Sequence, residues 1–148
     1  MIERRNLSTA IVNALTDVLT QPIGLAHAPV GGGWNGQPNL DGSNFTPYVV
    51  VTPQTSTSAS GPIADPQTDR QMPYALSSFG VMPEQTEWMA DKARFIVSEM
   101  KKTTVVLGDG TYTIQQVRTD VIGGLTRVDA TEPAYWGQVD VLTLWLTR

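Results

Sequence analysis

The chain has 148 residues, of which 41% are hydrophobic and only 16% are charged. A domain of this length buries roughly 70% of the surface that its unfolded chain exposes, so we expect one domain, residues 1–148. The net charge of −4 and the lack of long Lys or Arg runs exclude a nucleic-acid footprint built on phosphate neutralisation. Because there is no cysteine, disulfides and thiolate metal sites are excluded as well.

A first helix is predicted near the N-terminus, where apolar residues recur at helical spacing between positions 7 and 19. Asn6 or Ser8 is available as its N-cap, and Pro22 lies just beyond its end. No apolar stretch approaches the roughly 20 residues that a membrane span needs. We therefore expect a soluble protein with no membrane partner and no cleaved leader.

Two long segments are rich in Gly, Pro, Ser and Thr. Residues 21–46 contain many helix and strand breakers, which predicts an extended loop ordered by function or by a partner. Residues 55–70 are too polar to pack on their own, and we expect them to project from the sheet. Between these segments, the β-branched run at 48–52 has proline on both sides, which favours a short strand near a sheet edge.

The next elements complete a predicted hairpin and a second helix. Residues 74–79 alternate well enough to pair with the strand at 48–52, so the polar segment 55–70 becomes the arm of a long hairpin. Pro83 then opens a helix with acidic residues in its first turns and lysines at its end, as the helix dipole favours.

The last third of the chain predicts more strands, at 105–107, 112–121 and 138–147, with a loop at 129–136. The final strand is apolar on both faces, with Leu142 and Leu144 on one and Val139 and Trp145 on the other, so both faces need cover. The element order predicts an α+β fold: a mostly antiparallel β-sheet with two helices packed on one side and a long protruding polar hairpin arm.

The polar residues form no catalytic motif. His27 is the only histidine, which excludes a multi-histidine metal site, and the spacing of Asp65 and Asp69 fits ordinary turn and cap chemistry. The sequence therefore predicts a protein that is not an enzyme and has no cofactor or metal. Two alternatives stay open: a hydrolase that works through the same two aspartates, and a carbohydrate-binding module that uses Trp34 and Trp136.

One stretch carries a family resemblance. The run GPIADPQTDR at 61–70, a strand ending in Gly80 and the run EQTEWMADKAR at 84–94 resemble the tail terminator family of long-tailed, siphovirus-like bacteriophages, particularly those that infect actinobacteria. The resemblance spans most of the chain, including the opening helix, the proline-flanked strand and the closing strand with its tryptophan. Its most specific part is residues 61–94.

The resemblance implies a structural protein of the virion, made in the host cytoplasm. Its members would form a homo-hexamer, a ring that caps the head-proximal end of the tail tube and stops its polymerisation. The implied partners are the major tail tube protein and a head-tail connector or stopper protein, and DNA would pass through the lumen without specific binding. A neighbouring neck protein, such as a head-tail stopper or adaptor, is the alternative.

A ring requires heterologous interfaces, in which each subunit offers one surface to a different surface of its neighbour. The protruding arm is a natural donor for such an interface. We expect Asp65, Asp69 and Arg70 to make charge-assisted contacts with the adjacent subunit. Arg118 and Arg127 are the candidate partners for these contacts.

Overall fold

The structure is a computed structural model, which describes residues 4–54, 57–59, 69–108, 110–129 and 132–148. The described residues form two helices and ten strands. In chain order these are α1 (Arg5–Val18), β1 (Ile23–Leu25), β2 (Gly33–Trp34), β3 (Phe45–Thr46), β4 (Tyr48–Pro53), β5 (Thr57–Ala59), β6 (Asp69–Gly80), α2 (Pro83–Ser98), β7 (Thr104–Leu107), β8 (Gly110–Val121), β9 (Thr126–Val128) and β10 (Tyr135–Thr147).

One large sheet organises the chain, with the strand order β1-β4-β6-β10-β8-β7. β5 adds to β6, and β9 adds to β10 beyond the end of β8. Every pairing in this sheet is antiparallel except that of β1 with β4. The α+β fold with a mostly antiparallel sheet is therefore confirmed.

The main core lies between the two helices and one face of this sheet. Leu7, Ile11 and Leu15 recur every fourth residue along α1 and are fully buried. Leu142 and Leu144 alternate along β10 and point to the same core, as the period of a strand requires. The other face of β10, called here the outer face of the sheet, carries Val139 and Trp145 and has no helix on it.

A small second cluster covers one corner of the outer face. The two-stranded sheet of β2 and β3 places Trp34 edge-on to Phe45, with ring centroids 5.1 Å apart. Tyr48 stacks on Phe79 at 4.8 Å, and Tyr135 completes the cluster. The predicted loop at 21–46 was therefore wrong in part, because it contains three short strands: β1 pairs with β4, and β2 and β3 pair with each other.

Several predicted boundaries also need correction. Neither Asn6 nor Ser8 caps α1: the Asn6 amide donates to the Val106 carbonyl at 2.6 Å, and the Ser8 hydroxyl hydrogen-bonds to Tyr74 at 2.8 Å. The predicted loop at 129–136 is shorter, because β10 begins at Tyr135. These residues pair with distant parts of the chain, which local spacing does not reveal.

The predicted hairpin joins β4 to β6, and its antiparallel pairing is confirmed from Tyr48↔Phe79 to Pro53↔Tyr74. β6 begins earlier than predicted, at Asp69, and β5 pairs with its first residues. Residues 55–56 and 60–68, the rest of the predicted arm, lie outside the described residues. Its projection from the sheet stays a prediction.

Truncating Leu144 tests the core. Leu144→Ala removes a fully buried side chain from β10 and should lower the free energy of unfolding by about 2–5 kcal/mol, because a cavity remains beneath the helices. Val139→Ala, on the same strand but 48% exposed, is the matched control and should cost less than about 1 kcal/mol. Urea unfolding followed by circular dichroism measures both values. Equal losses would contradict the assignment of the two faces.

Candidate subunit interface

The outer face of the sheet is apolar along its centre. Ala75 of β6 pairs with Val141 of β10, and Val121 of β8 pairs with Val141 from the other side. Val139 and Val121 remain 48% and 51% exposed. Contiguous apolar surface of this kind marks binding sites more often than isolated exposed side chains do. This face is therefore a candidate contact surface for another protein subunit.

A depression, called here the socket, lies at one end of this surface. Its volume is about 410 Å³, and its lining is mostly apolar side chains and glycine backbone: Phe79, Gly123, Gly124, Thr126, Val128, Gly137 and Val139. A Cβ at Gly123 would lie 2.0 Å from the Val139 carbonyl oxygen, so no side chain fits there. A Cβ at Gly124 would meet nothing within 4 Å. The missing side chains leave room for a group from outside the subunit.

The socket exists because the strand partner of β10 is interrupted. β8 and β9 both pair with β10, through Val121↔Val141 and Thr126↔Gly137, so the four residues between them bulge out of one long strand. This bulge, residues 122–125, is attached to the sheet by a hydrogen bond from the Gly123 amide to Asp140 Oδ1 at 2.9 Å. Its position therefore depends on Asp140.

Asp140 is a fully buried charge and is correspondingly well bonded. Arg94 of α2 donates to its Oδ2 at 3.0 Å, and the Gln138 side chain donates to its Oδ1 at 3.1 Å. Arg94 also pairs with Asp91 one turn earlier in the helix. A buried carboxylate is tolerated only when it has such partners. Through them, α2 fixes the bulge and hence the shape of the socket.

Beside the socket, the sheet has an open edge, defined as residues 115–121 of β8 and 126–128 of β9. β7 pairs with β8 only as far as Thr113, with further backbone bonds to Ile114. Within the described residues no strand pairs with these residues on the side that faces away from β10. Bulges in β8 and several charged side chains lie along it, and both features discourage uncontrolled pairing between sheet edges. The edge is thus available for a specific contact.

Three of the five predicted interface residues have described side chains: Arg70, Arg118 and Arg127. Arg118 and Arg127 both lie on the open edge, where they pair with Asp120 at 2.6 Å and Asp129 at 3.0 Å. Arg70 is only 3% exposed and lies in β6, two residues before the core residue Met72 and on the same face of the strand, not in a protruding arm. Its contact with an adjacent subunit stays a prediction.

Of the two aspartates predicted at the interface, only Asp69 lies within the described residues. Asp65 lies outside the described residues, and the backbone of Asp69 begins β6 opposite Thr147. The predicted ion pairs between the arm and the two arginines stay a prediction. The socket was missed because its glycines come from two separate segments; the Gly123-Gly124 step was the only local signal.

The lone histidine and the two tryptophans of the carbohydrate-binding alternative do not lie at one site. His27 is exposed in a turn, with Nδ1 3.0 Å from the Ala28 carbonyl oxygen. Trp34 packs on the outer face, whereas Trp136 occupies a β10 position that alternates to the helix side, so the two rings do not share a platform. In the described ranges, no three His, Asp or Glu residues are placed to hold a metal ion. None of the helices in those ranges is long and apolar enough to cross a membrane.

Removing the arginine partner tests the role of Asp140. Arg94→Met should lower the free energy of unfolding by about 3–5 kcal/mol, because it leaves a buried carboxylate without its counter-ion. Asp91→Asn removes only the exposed partner of the same arginine and should cost less than about 1 kcal/mol. Chemical denaturation measures both. Equal effects would show that Asp140 does not depend on Arg94.

The outer face also carries a carboxyl group, that of Asp120, whose pKa is shifted. The hydrogen bond from Thr143, assisted by Arg118, lowers the pKa of Asp120 below its ordinary value of 3.8. A carboxyl group whose pKa is lower in the folded than in the unfolded state stabilises the fold at any pH above its unfolded-state pKa. This stabilisation is lost as the pH falls through the folded-state pKa.

Thr143→Val should therefore raise the pKa of Asp120 and reduce the acid sensitivity of stability between the two values. A carboxyl NMR titration, with unfolding measured across the acidic range, tests this expectation. Thr119→Val, an exposed change on β8, is the control. An unchanged Asp120 titration in Thr143→Val would contradict the assigned cause.

Comparison with known proteins identifies no family for this chain. No protein-family model matches the sequence. A search of curated proteins found no match either.

Proposed function

We propose that this chain is the tail terminator of a long-tailed bacteriophage. Six copies form a ring at the head-proximal end of the tail tube, end its polymerisation and join the tail to the head-tail connector or stopper protein. The resemblance in residues 61–94 supports this role. The structural observation that carries it is the uncovered outer face, with its socket and open edge, on a sheet whose other face is filled by helices.

The uncovered surface suits association with further copies of the chain. A soluble monomer rarely leaves a contiguous apolar surface exposed, and this one runs from Val121 across β10 to the socket. The open edge lies at one side of this surface. The small aromatic cluster that β2 and β3 form with β4 and β6 lies at the other. A heterologous ring needs two different surfaces on each subunit, and the open edge and the aromatic cluster are different surfaces.

The charge of the chain suits a ring through which DNA passes. The net charge is −4, so a lumen lined by this chain holds few attractions for phosphate, and DNA slides through it without specific binding. In this role the protein is a component of the virion tail, made in the host cytoplasm. It has no catalytic step and no cofactor, and its partners are the major tail tube protein and the connector or stopper.

The length of tail tubes tests the proposal. Removing the gene from a phage that encodes this chain should give overlong tubes, because nothing stops the addition of tube subunits, and wild-type protein supplied in trans should restore uniform length. Electron microscopy of negatively stained particles measures the length distribution. Normal tube length in its absence would contradict the terminator role; normal tubes that fail to join heads would assign the chain to a neighbouring neck position.

Matched variants link the phenotype to the outer face. Val139→Asp places a charge beside the socket on β10 and should fail to restore tube length. Val30→Asp changes a side chain that is fully exposed in a turn away from the socket, and should restore length as wild type does. Restoration by both variants would show that the outer face is not the assembly surface.

A further inference from the structure

One asparagine in the chain is followed by glycine. The five asparagines are at positions 6, 13, 35, 39 and 44, and only Asn35 has a glycine, Gly36, as its next residue. An asparagine loses its side-chain amide when the backbone nitrogen of the next residue attacks the side-chain carbonyl carbon. A next residue with no Cβ hinders this attack least, so the sequence favours the reaction at Asn35.

The backbone nitrogen that would attack is accessible to solvent. Asn35 and Gly36 are both exposed in the segment that joins β2 to β3, and within the described residues the Gly36 amide donates no hydrogen bond. Gly36 has a φ of +104°, and a Cβ built on it would meet Asn44 Nδ2 at 4.0 Å and, apart from adjacent residues, nothing nearer. Solvent therefore reaches the Gly36 amide proton, whose removal makes the nitrogen a nucleophile.

The side-chain amide that would leave is held across the hairpin. Asn35 Nδ2 donates to Thr46 Oγ1 of β3 at 2.6 Å, while the Asn35 backbone amide donates to the Asn44 carbonyl at 2.7 Å. Because the main chain is fixed there, the Asn35 side chain has to turn its carbonyl carbon toward the Gly36 nitrogen. The bond to Thr46 opposes this rotation and the departure of Nδ2. It therefore slows a reaction that the accessible Gly36 amide permits.

A second acidic or amide residue followed by glycine, Asp41 before Gly42, lies in the same segment and is bonded differently. The Gly42 amide donates to the Asn39 carbonyl at 3.2 Å, so its proton is already engaged. The backbone amide of Ser43 donates to Asp41 Oδ1 at 2.8 Å, and the hydrogen bonds from Ser43 lower the pKa of the Asp41 carboxyl. An ionised carboxylate resists attack by a nucleophile. The structure therefore favours reaction at Asn35 and protects Asp41.

We propose that Asn35 is a site of spontaneous modification, where attack by Gly36 converts the side chain to aspartate or isoaspartate at a rate limited by the hydrogen bond to Thr46. The Gly36 nitrogen loses its proton to solvent and forms a bond to Asn35 Cγ. The bond from Cγ to Nδ2 breaks, and Nδ2 takes up a proton from solvent and leaves as ammonia. Water then opens the cyclic imide: opening at Cγ gives aspartate, whereas opening at the main-chain carbonyl gives isoaspartate.

Both products change one corner of the outer face. Each adds a negative charge, and isoaspartate also lengthens the main chain by one atom immediately after Trp34 of β2. The Trp34 ring packs edge-on to Phe45, with ring centroids 5.1 Å apart, so the change falls beside the aromatic cluster. The reaction needs only this segment and water, and it therefore occurs whether or not the chain forms the proposed ring.

Ageing of the purified chain tests the site. Folded wild-type protein kept at mildly alkaline pH should accumulate both aspartate and isoaspartate at position 35, and at none of the other four asparagine positions at a comparable rate. Chymotryptic peptides fragmented by electron transfer locate each change and distinguish the two products. Wild-type protein unfolded in guanidinium chloride is the positive control and should convert faster, because Thr46 is no longer held beside Asn35.

Three variants test the parts assigned to the side chains. Thr46→Val keeps the branched shape but removes the acceptor, so it should speed conversion about two- to tenfold, the factor that corresponds to one lost hydrogen bond. Thr104→Val, at an exposed position of β7 on the far edge of the large sheet from β1, should convert as wild type does. Asn35→Gln should abolish the conversion on this time scale, because the longer side chain closes a larger ring slowly. Circular dichroism checks that all three variants are folded.

Each contrary result removes a stated part of the proposal. If position 35 stays unmodified in the folded chain after the unfolded control has converted, Asn35 is not a site of modification in this fold. If aspartate forms without isoaspartate, the side chain is hydrolysed directly and Gly36 takes no part. If Thr46→Val converts at the wild-type rate or more slowly, the hydrogen bond to Thr46 does not limit the reaction.

Discussion

The register between β6 and β10 is the constraint on which the rest of the structure depends. The two strands pair without a break from Trp136↔Gly80 to Thr147↔Asp69, in the middle of the sheet. A slip of one residue would turn Leu142 and Leu144 away from the helices and place Val139 in the core. The same register sets Gly137 opposite Phe79, which forms the floor and wall of the socket. The core and the candidate contact surface are thus two consequences of one pairing.

The buried charge at Asp140 extends this constraint to the open edge. A carboxylate inside the fold costs free energy unless its partners are well placed, and an apolar residue would often serve stability as well. Here the carboxylate does something that an apolar residue could not do, since it accepts hydrogen bonds from both the bulge and α2. The bulge at 122–125 therefore has a fixed position between β8 and β9, which would otherwise form one continuous strand. The position of the bulge, and with it the shape of the socket, therefore depends on this single group.

Much of the fold was predictable because long elements carry periodic signals. Pro83 marked the start of α2, and the alternation in the last strand identified its buried leucines. The strands β1 to β3 were missed because elements of two or three residues have no period and form through tertiary contacts. Arg70 was misplaced because the polar run before it gave no sign that β6 starts at Asp69. Arg118 and Arg127 were predicted as partners of the arm residues at a subunit interface, and that stays a prediction. Their positions on one open edge follow from sheet topology, which spacing does not encode.

The position of β10 in the sheet has a consequence for synthesis on the ribosome. β10 follows all other strands in the chain, yet it lies between β6 and β8 and contacts both along most of its length. A nascent chain that lacks β10 can form the β4–β6 hairpin and both helices but cannot close the sheet. The socket, which needs Gly137 and Val139, then does not exist either. A chain whose synthesis stops before β10 therefore has neither a closed sheet nor a socket.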